Sequence, residues 1–177
     1  SNIFILGLMT NDTVVGYYAA ASKLVDAVKG LFSPISNAIF PHVSVLFKES
    51  RERAVSFLCS VLRIIGGLSF TISLLVFVFA EQIASIVMGQ GYEESILILQ
   101  IISFLPFIIG LSNIFGIQTK VAMGMNRVFS RILMFSALLN FILVFPLIYM
   151  WQGIGLAMTV VIVECFVTIT MYVKKKK

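Results

Sequence analysis

Charge is scarce in this 177-residue chain: Asp, Glu, Lys and Arg make up 12% of it, against a hydrophobic share of 59%. A soluble globular domain carries about 25% charged residues, so the composition excludes one, and a mean hydropathy of +1.04 points to a membrane protein. Histidine occurs once, at His42, and cysteine twice, at Cys59 and Cys165, both inside apolar stretches. A disulfide framework or thiolate site has no support there, and both cysteines read as small core residues. Metal-ligand spacing and a Gly-rich phosphate loop are also missing, so neither a metal, a cofactor nor an enzymatic site is expected. The opening residues SNIFILGLMT lack an initiator Met and a basic segment and are too short to span, which excludes a signal peptide. They read as the cut end of a helix, and the chain as a fragment of a longer protein.

What is present is a series of apolar runs. About 20 such residues cross a hydrocarbon core as a helix, which satisfies its own backbone hydrogen bonds. The runs predict an all-α polytopic membrane protein with a single membrane domain over 1–177: a truncated span at 2–9 and five full ones at 15–47, 54–79, 95–117, 128–150 and 153–173.

The connectors alternate in charge. Lys48, Arg51 and Arg53 fall in one, Lys120, Arg127 and Arg131 in another, and Lys174 to Lys177 form the tail, whereas TNDTVV, AEQIASIVMGQGYEES and WQ hold no Lys or Arg. The positive-inside rule therefore predicts cytoplasmic basic connectors and a cytoplasmic C-terminus. The same placement accounts for the pI near 9.4 without a nucleic-acid partner, since the basic residues lie at membrane edges and do not interleave with aromatics on one soluble face.

Lys23, Lys29 and Arg63 remain, within or beside the spans. At 100° per residue, Ser22, Lys23, Asp26, Lys29, Ser33, Ser36, Asn37 and Ser44 share an arc of roughly 140°, opposite Leu24, Val28, Leu31, Ile35 and Ile39. Pro34 and Pro41 can bend this helix or hinge it. The stripe has two readings: a wet cavity wall, or lysines that snorkel to the interface while Asp26 pairs locally. Depth places Lys23 and Asp26 at the external interface and Lys29 just inside. Arg63, about 15 Å along its helix from Arg53, cannot easily snorkel and is expected on a cavity. Its helical neighbours Ser56, Cys59, Ser60, Gly66 and Gly67 form a small, polar face suited to helix packing or to a water-filled lumen. Glu164, in VVIVECFVTIT, is the one carboxylate deep in a span and serves either a proton relay or a helix-helix hydrogen bond. His42 points away from the polar stripe and reads as a packing or interfacial residue.

Three segments together carry a family resemblance. VVGYYAAASKLVDAVKGLFSPISNAIFPHVSVLF is similar to the helix that opens the C-terminal half of bacterial O-antigen and polysaccharide flippases, within the multidrug/oligosaccharidyl-lipid/polysaccharide exporter superfamily. IVMGQGYEESILILQIISF resembles the external loop and next helix of that family, and GIQTKVAMGMNRVFSRILMFSALLNFILVFPLIYMWQGIGLAMTVVIVE its last two helices, including Gln118, Gly124, Asn140, Gly153 to Gly155 and Glu164. The resemblance implies two six-helix bundles around a central cavity, this chain being most of the second, and alternating access in the bacterial inner membrane. It implies a substrate, an undecaprenyl-diphosphate-linked sugar repeat unit, that meets a cavity of Arg63, Lys29, Lys23, Asp26 and Asn37, with Glu164 in coupling. The implied partners are membrane lipids, the N-terminal half of the same transporter, and the polysaccharide polymerase and chain-length machinery. Multidrug or peptidoglycan-precursor export by the same superfamily, and a non-transporting scaffold of polysaccharide assembly, are the alternatives. Cavity cations favour the lipid-linked sugar over a cationic drug.

Overall fold

The computed structural model describes residues 2–88, 91 and 93–173, and among these every regular element is helical. The first, α1 (Asn2–Met9), ends where the Thr10 hydroxyl donates to the Leu6 carbonyl at 2.7 Å. Asn11 caps the next helix, its side chain accepting from the Val14 amide at 3.0 Å, and Asp12 adds a negative charge to the first turn. That helix, α2 (Asp12–Glu49), is about 57 Å long at 1.5 Å per residue and exceeds the bilayer core. It continues through both Pro34 and Pro41.

A single residue then reverses the chain. Ser50, at φ −156° and ψ 120°, closes α2 by donating its amide to the Leu46 carbonyl and opens α3 (Arg51–Val78) by accepting from the Arg53 amide at 3.5 Å. After Phe79, the short helix α4 (Ala80–Met88) buries Ala80 and Ala84 and exposes Ile86 and Val87. The connector AEQIASIVMGQGYEES thus has a helical first half of two and a half turns, too few to span. Gly89, Gln90 and Tyr92 of that loop lie outside the described residues.

The next span is segmented. It comprises α5 (Glu93–Ile102), α6 (Leu105–Phe115), which Pro106 helps to start, and a π-helical stretch over Gly116–Val121. The π turn carries the span to Val121, so Lys120, assigned by sequence to a basic connector, is instead buried at 2% exposure. Its ammonium donates to the Met171 carbonyl, one of the last-turn acceptors of the following helix.

The final element, α7 (Asn126–Val173), has two arms that break at Gln152, whose φ of 49° and ψ of −122° lie outside the helical region. The turn is tight enough that a Cβ on Gly155 would stand 1.9 Å from the Leu147 carbonyl oxygen. The arms lie side by side: Ile148 clusters with Leu156 next to the turn, and Ile132 with Met171 at the far ends. Tyr149 and Trp151 are exposed at this turn, where amphipathic rings suit a membrane-water interface.

Burial is concentrated at the two ends of the bundle. Leu6, Val14, Tyr18, Ile98, Leu99, Ile148 and Leu156 belong to one cluster, while Val43, Leu58, Val61 and Ile114 form another. The outer surfaces of α3 and α7 are strongly apolar, with Ile64, Met134, Phe135 and Phe141 exposed, as expected for a multi-pass membrane protein. Four helical stretches, Asp12–Glu49, Arg51–Val78, Glu93–Val121 and Asn126–Val173, are long and apolar enough to cross a membrane, the last of them folded into its two arms.

Candidate functional site

The gap between the two apolar clusters falls where α2 is polar. This helix buries Val14, Tyr18, Ala21 and Val25 near its start and Val43 near its end, but nothing from Asp26 to His42. At that level α2, α3, α6 and the π turn enclose a cavity of about 340 Å³. Lys29, Ser33, Ser36 and Asn37 line it from α2, at spacings of four, three and one that keep them on one side of the helix. Val61 and Ile65 face it from α3, Ile109 and Asn113 from α6, and Gln118 from the π turn.

One hydrogen-bonded chain crosses the cavity wall. The Gln118 amide nitrogen donates to the Ser36 carbonyl at 2.7 Å and to the Ser36 hydroxyl at 3.0 Å, and that hydroxyl donates to Asn113 Oδ1 at 2.7 Å. A backbone carbonyl can only accept, which fixes the Gln118 amide with its nitrogen toward α2. Its carbonyl oxygen is buried with no hydrogen-bond partner among the described residues. The π turn places Gln118 here; such turns widen a helix locally and recur at functional sites. Gly116 lets the turn press on α7, since a Cβ there would sit 3.0 Å from Phe129 Cε2 and 3.3 Å from Met171 Sδ.

Three charges meet at the Lys29 end. Lys29 forms an ion pair with Asp26 one turn earlier, and the half-buried Glu164 on the second arm of α7 lies within electrostatic reach of the same ammonium. The Thr168 hydroxyl bridges the Glu164 carbonyl at 2.9 Å and the Ile108 carbonyl at 3.2 Å, tying this arm to α6. Of the residues singled out in the sequence, the structure therefore brings together Lys29, Asp26, Asn37 and Glu164. Lys23 is exposed and off the cavity. Arg63 is also exposed and does not line it: Val61 and Ile65 do, and a residue two places from each points to the opposite side of a helix. Ser56, Cys59, Ser60 and Gly67 are exposed beside Arg63 among the described residues, whereas Gly66 is buried. His42 meets Phe57 edge to face, ring centroids 5.0 Å apart.

Asn113 was not singled out by sequence reasoning, and Gln118 only as part of a family pattern. Their signal was an amide side chain within the apolar stretch LPFIIGLSNIFGIQTKV. Among the described residues no cluster of His, Cys, Asp and Glu could hold a metal ion.

A family described as polysaccharide biosynthesis protein matches residues 1–97. The chain is 35% identical over 177 residues to a protein of Escherichia coli (strain K12) named "Putative O-antigen transporter", covering 99% of this chain and 43% of that protein. A Shigella dysenteriae protein of the same name is 29% identical over 171 residues, which is 96% of this chain and 42% of that one. The chain thus spans less than half the length of these relatives. No solved structure matches it.

Proposed function

The chain belongs to the polysaccharide biosynthesis protein family, and from that membership we propose that the complete protein is a flippase for a lipid-linked oligosaccharide, an O-antigen or other polysaccharide repeat unit on undecaprenyl diphosphate. The observation that carries this reading is the mid-membrane wall of α2. A transmembrane helix that faces lipid all round would not expose Ser33 and Asn37 beside Lys29, and an ionisable group within a span belongs on a cavity. A second bundle on that side would convert the wall into one side of a central path. Rocking of the two bundles would then expose the path to the cytoplasm and to the outside in turn.

Lys29, on the cavity, is the cation such a path offers a diphosphate as a point charge, and Arg63, which faces away from this cavity, would add paired donors where the second bundle meets its exposed face of α3. Glu164, on the neighbouring arm of α7, would take up and release a proton and so couple transport to a gradient. The protein acts as a transporter and not as an enzyme, in the bacterial inner membrane with the basic connectors and C-terminus cytoplasmic, alongside the polymerase and chain-length machinery that use its product. A scaffold subunit would tolerate neutral side chains at both cations. In cells that depend on the complete protein, Lys29→Ala with Arg63→Ala should abolish surface polysaccharide while leaving its amount in the membrane unchanged. Normal surface polysaccharide from the double variant would overturn the proposal.

A further inference from the structure

We infer that the cavity beside Lys29 is a subsite for an uncharged sugar ring, and that Asn113 reads it, oriented by Ser36 and Gln118; this rests on the flippase reading above. The first argument is charge. Among the described residues Lys29 is the one charged side chain on the lining, and Asp26 on its own helix already pairs with it. Beyond that ammonium the lining offers an anion no cation. The remaining polar lining is uncharged: the hydroxyls of Ser33 and Ser36 and the amides of Asn37, Asn113 and Gln118. Amides and hydroxyls over apolar walls such as Phe32 and Ile109 suit a group with many weak donors and acceptors and an apolar ring face.

The second argument is direction. The Gln118 nitrogen donates to the Ser36 carbonyl and hydroxyl, and that hydroxyl donates to Asn113 Oδ1. With its oxygen held in this way, the group Asn113 offers the cavity is the amide nitrogen with its two donors. Successive donations in one direction polarise one another and strengthen the terminal donor. Hydroxyl and carbonyl oxygens of a sugar are matching acceptors. Size is the third argument: about 340 Å³, within the range of small-molecule pockets, is room enough for one ring.

The test measures binding of two lipids to the complete, detergent-solubilised protein: undecaprenyl diphosphate alone, and the same lipid carrying one neutral hexose. Wild type should favour the glycosylated lipid by about 3- to 10-fold, the worth of one or two net hydrogen bonds. Asn113→Leu should remove that preference and leave affinity for the bare lipid unchanged. Gln118→Met should do the same through Ser36, and if it fails to accumulate in the membrane the Asn113 variant decides. Equal wild-type affinity for both lipids would overturn the subsite, as would variants that weaken bare and glycosylated lipid alike, since the cavity would then read the diphosphate or act only in packing. Binding of neither lipid by wild type would instead overturn the flippase reading and the subsite with it.

Discussion

The fold-back of α7 makes Gly155 the position most sensitive to a single methyl group. A Cβ there would stand 1.9 Å from the Leu147 carbonyl oxygen, 2.4 Å from its carbon and 3.0 Å from the Ile148 nitrogen. All three are backbone atoms, so no rotamer change can relieve the contact; the arms must separate by more than about 1 Å to reach ordinary van der Waals distance. Overpacking costs about 1–3 kcal/mol where side chains can adjust, and a rigid backbone clash belongs at the top of that range. At about 1–2 °C per kcal/mol for a chain more than twice this length, Gly155→Ala should lower the Tm of the complete protein in detergent by about 3–6 °C. Gly67 is the control: it is exposed in the interior of α3 with nothing within 4 Å of an added Cβ, so Gly67→Ala should raise Tm slightly through helix propensity. A Tm for Gly155→Ala within about 1 °C of wild type would refute the hairpin geometry.

Other perturbations probe the turn, the relay and the charge set. Gln152→Gly should stabilise by about 1 kcal/mol, raising Tm by about 1–2 °C, because glycine adopts a φ of 49° without the strain a glutamine side chain bears there. Ser36→Ala removes both the acceptor for one Gln118 bond and the donor to Asn113, and should lower Tm by about 1–3 °C, from about 1–1.5 kcal/mol. The coupling role of Glu164 requires that Glu164→Gln change the pH dependence of transport in proteoliposomes; an unchanged profile would leave this residue only a packing role.

The sequence was most legible where one physical rule acts alone. Hydropathy is enough to place α3 within three residues of its observed ends, because a span with few breaks needs only length and apolarity. It also locates the break between the arms of α7, where WQG interrupts two apolar runs. Less legible were features that depend on tertiary contacts. The π turn has no composition of its own; it lies where Gly116 comes close to Phe129 and Met171, and it extends the span far enough to bury Lys120. A helical wheel drawn on α2 finds the cavity wall, but a wheel drawn on α3 could not choose between packing and a lumen for the Arg63 face. The contact of Val61 and Ile65 with the cavity shows that Arg63 points elsewhere. Asn113 escaped notice because one amide in an apolar helix becomes informative only when Ser36, far away in sequence, is seen to hold it.

The central claim is tested most directly by reconstituting the complete protein in liposomes of bacterial lipid with a fluorescent lipid-linked oligosaccharide confined to one leaflet. The account predicts that the labelled lipid becomes accessible to a membrane-impermeant quencher on the other side at a rate proportional to the amount of protein. It also predicts that Lys29→Ala with Arg63→Ala abolishes this movement in protein that remains folded. Translocation no faster than in protein-free liposomes, with wild type folded and correctly inserted, would contradict it.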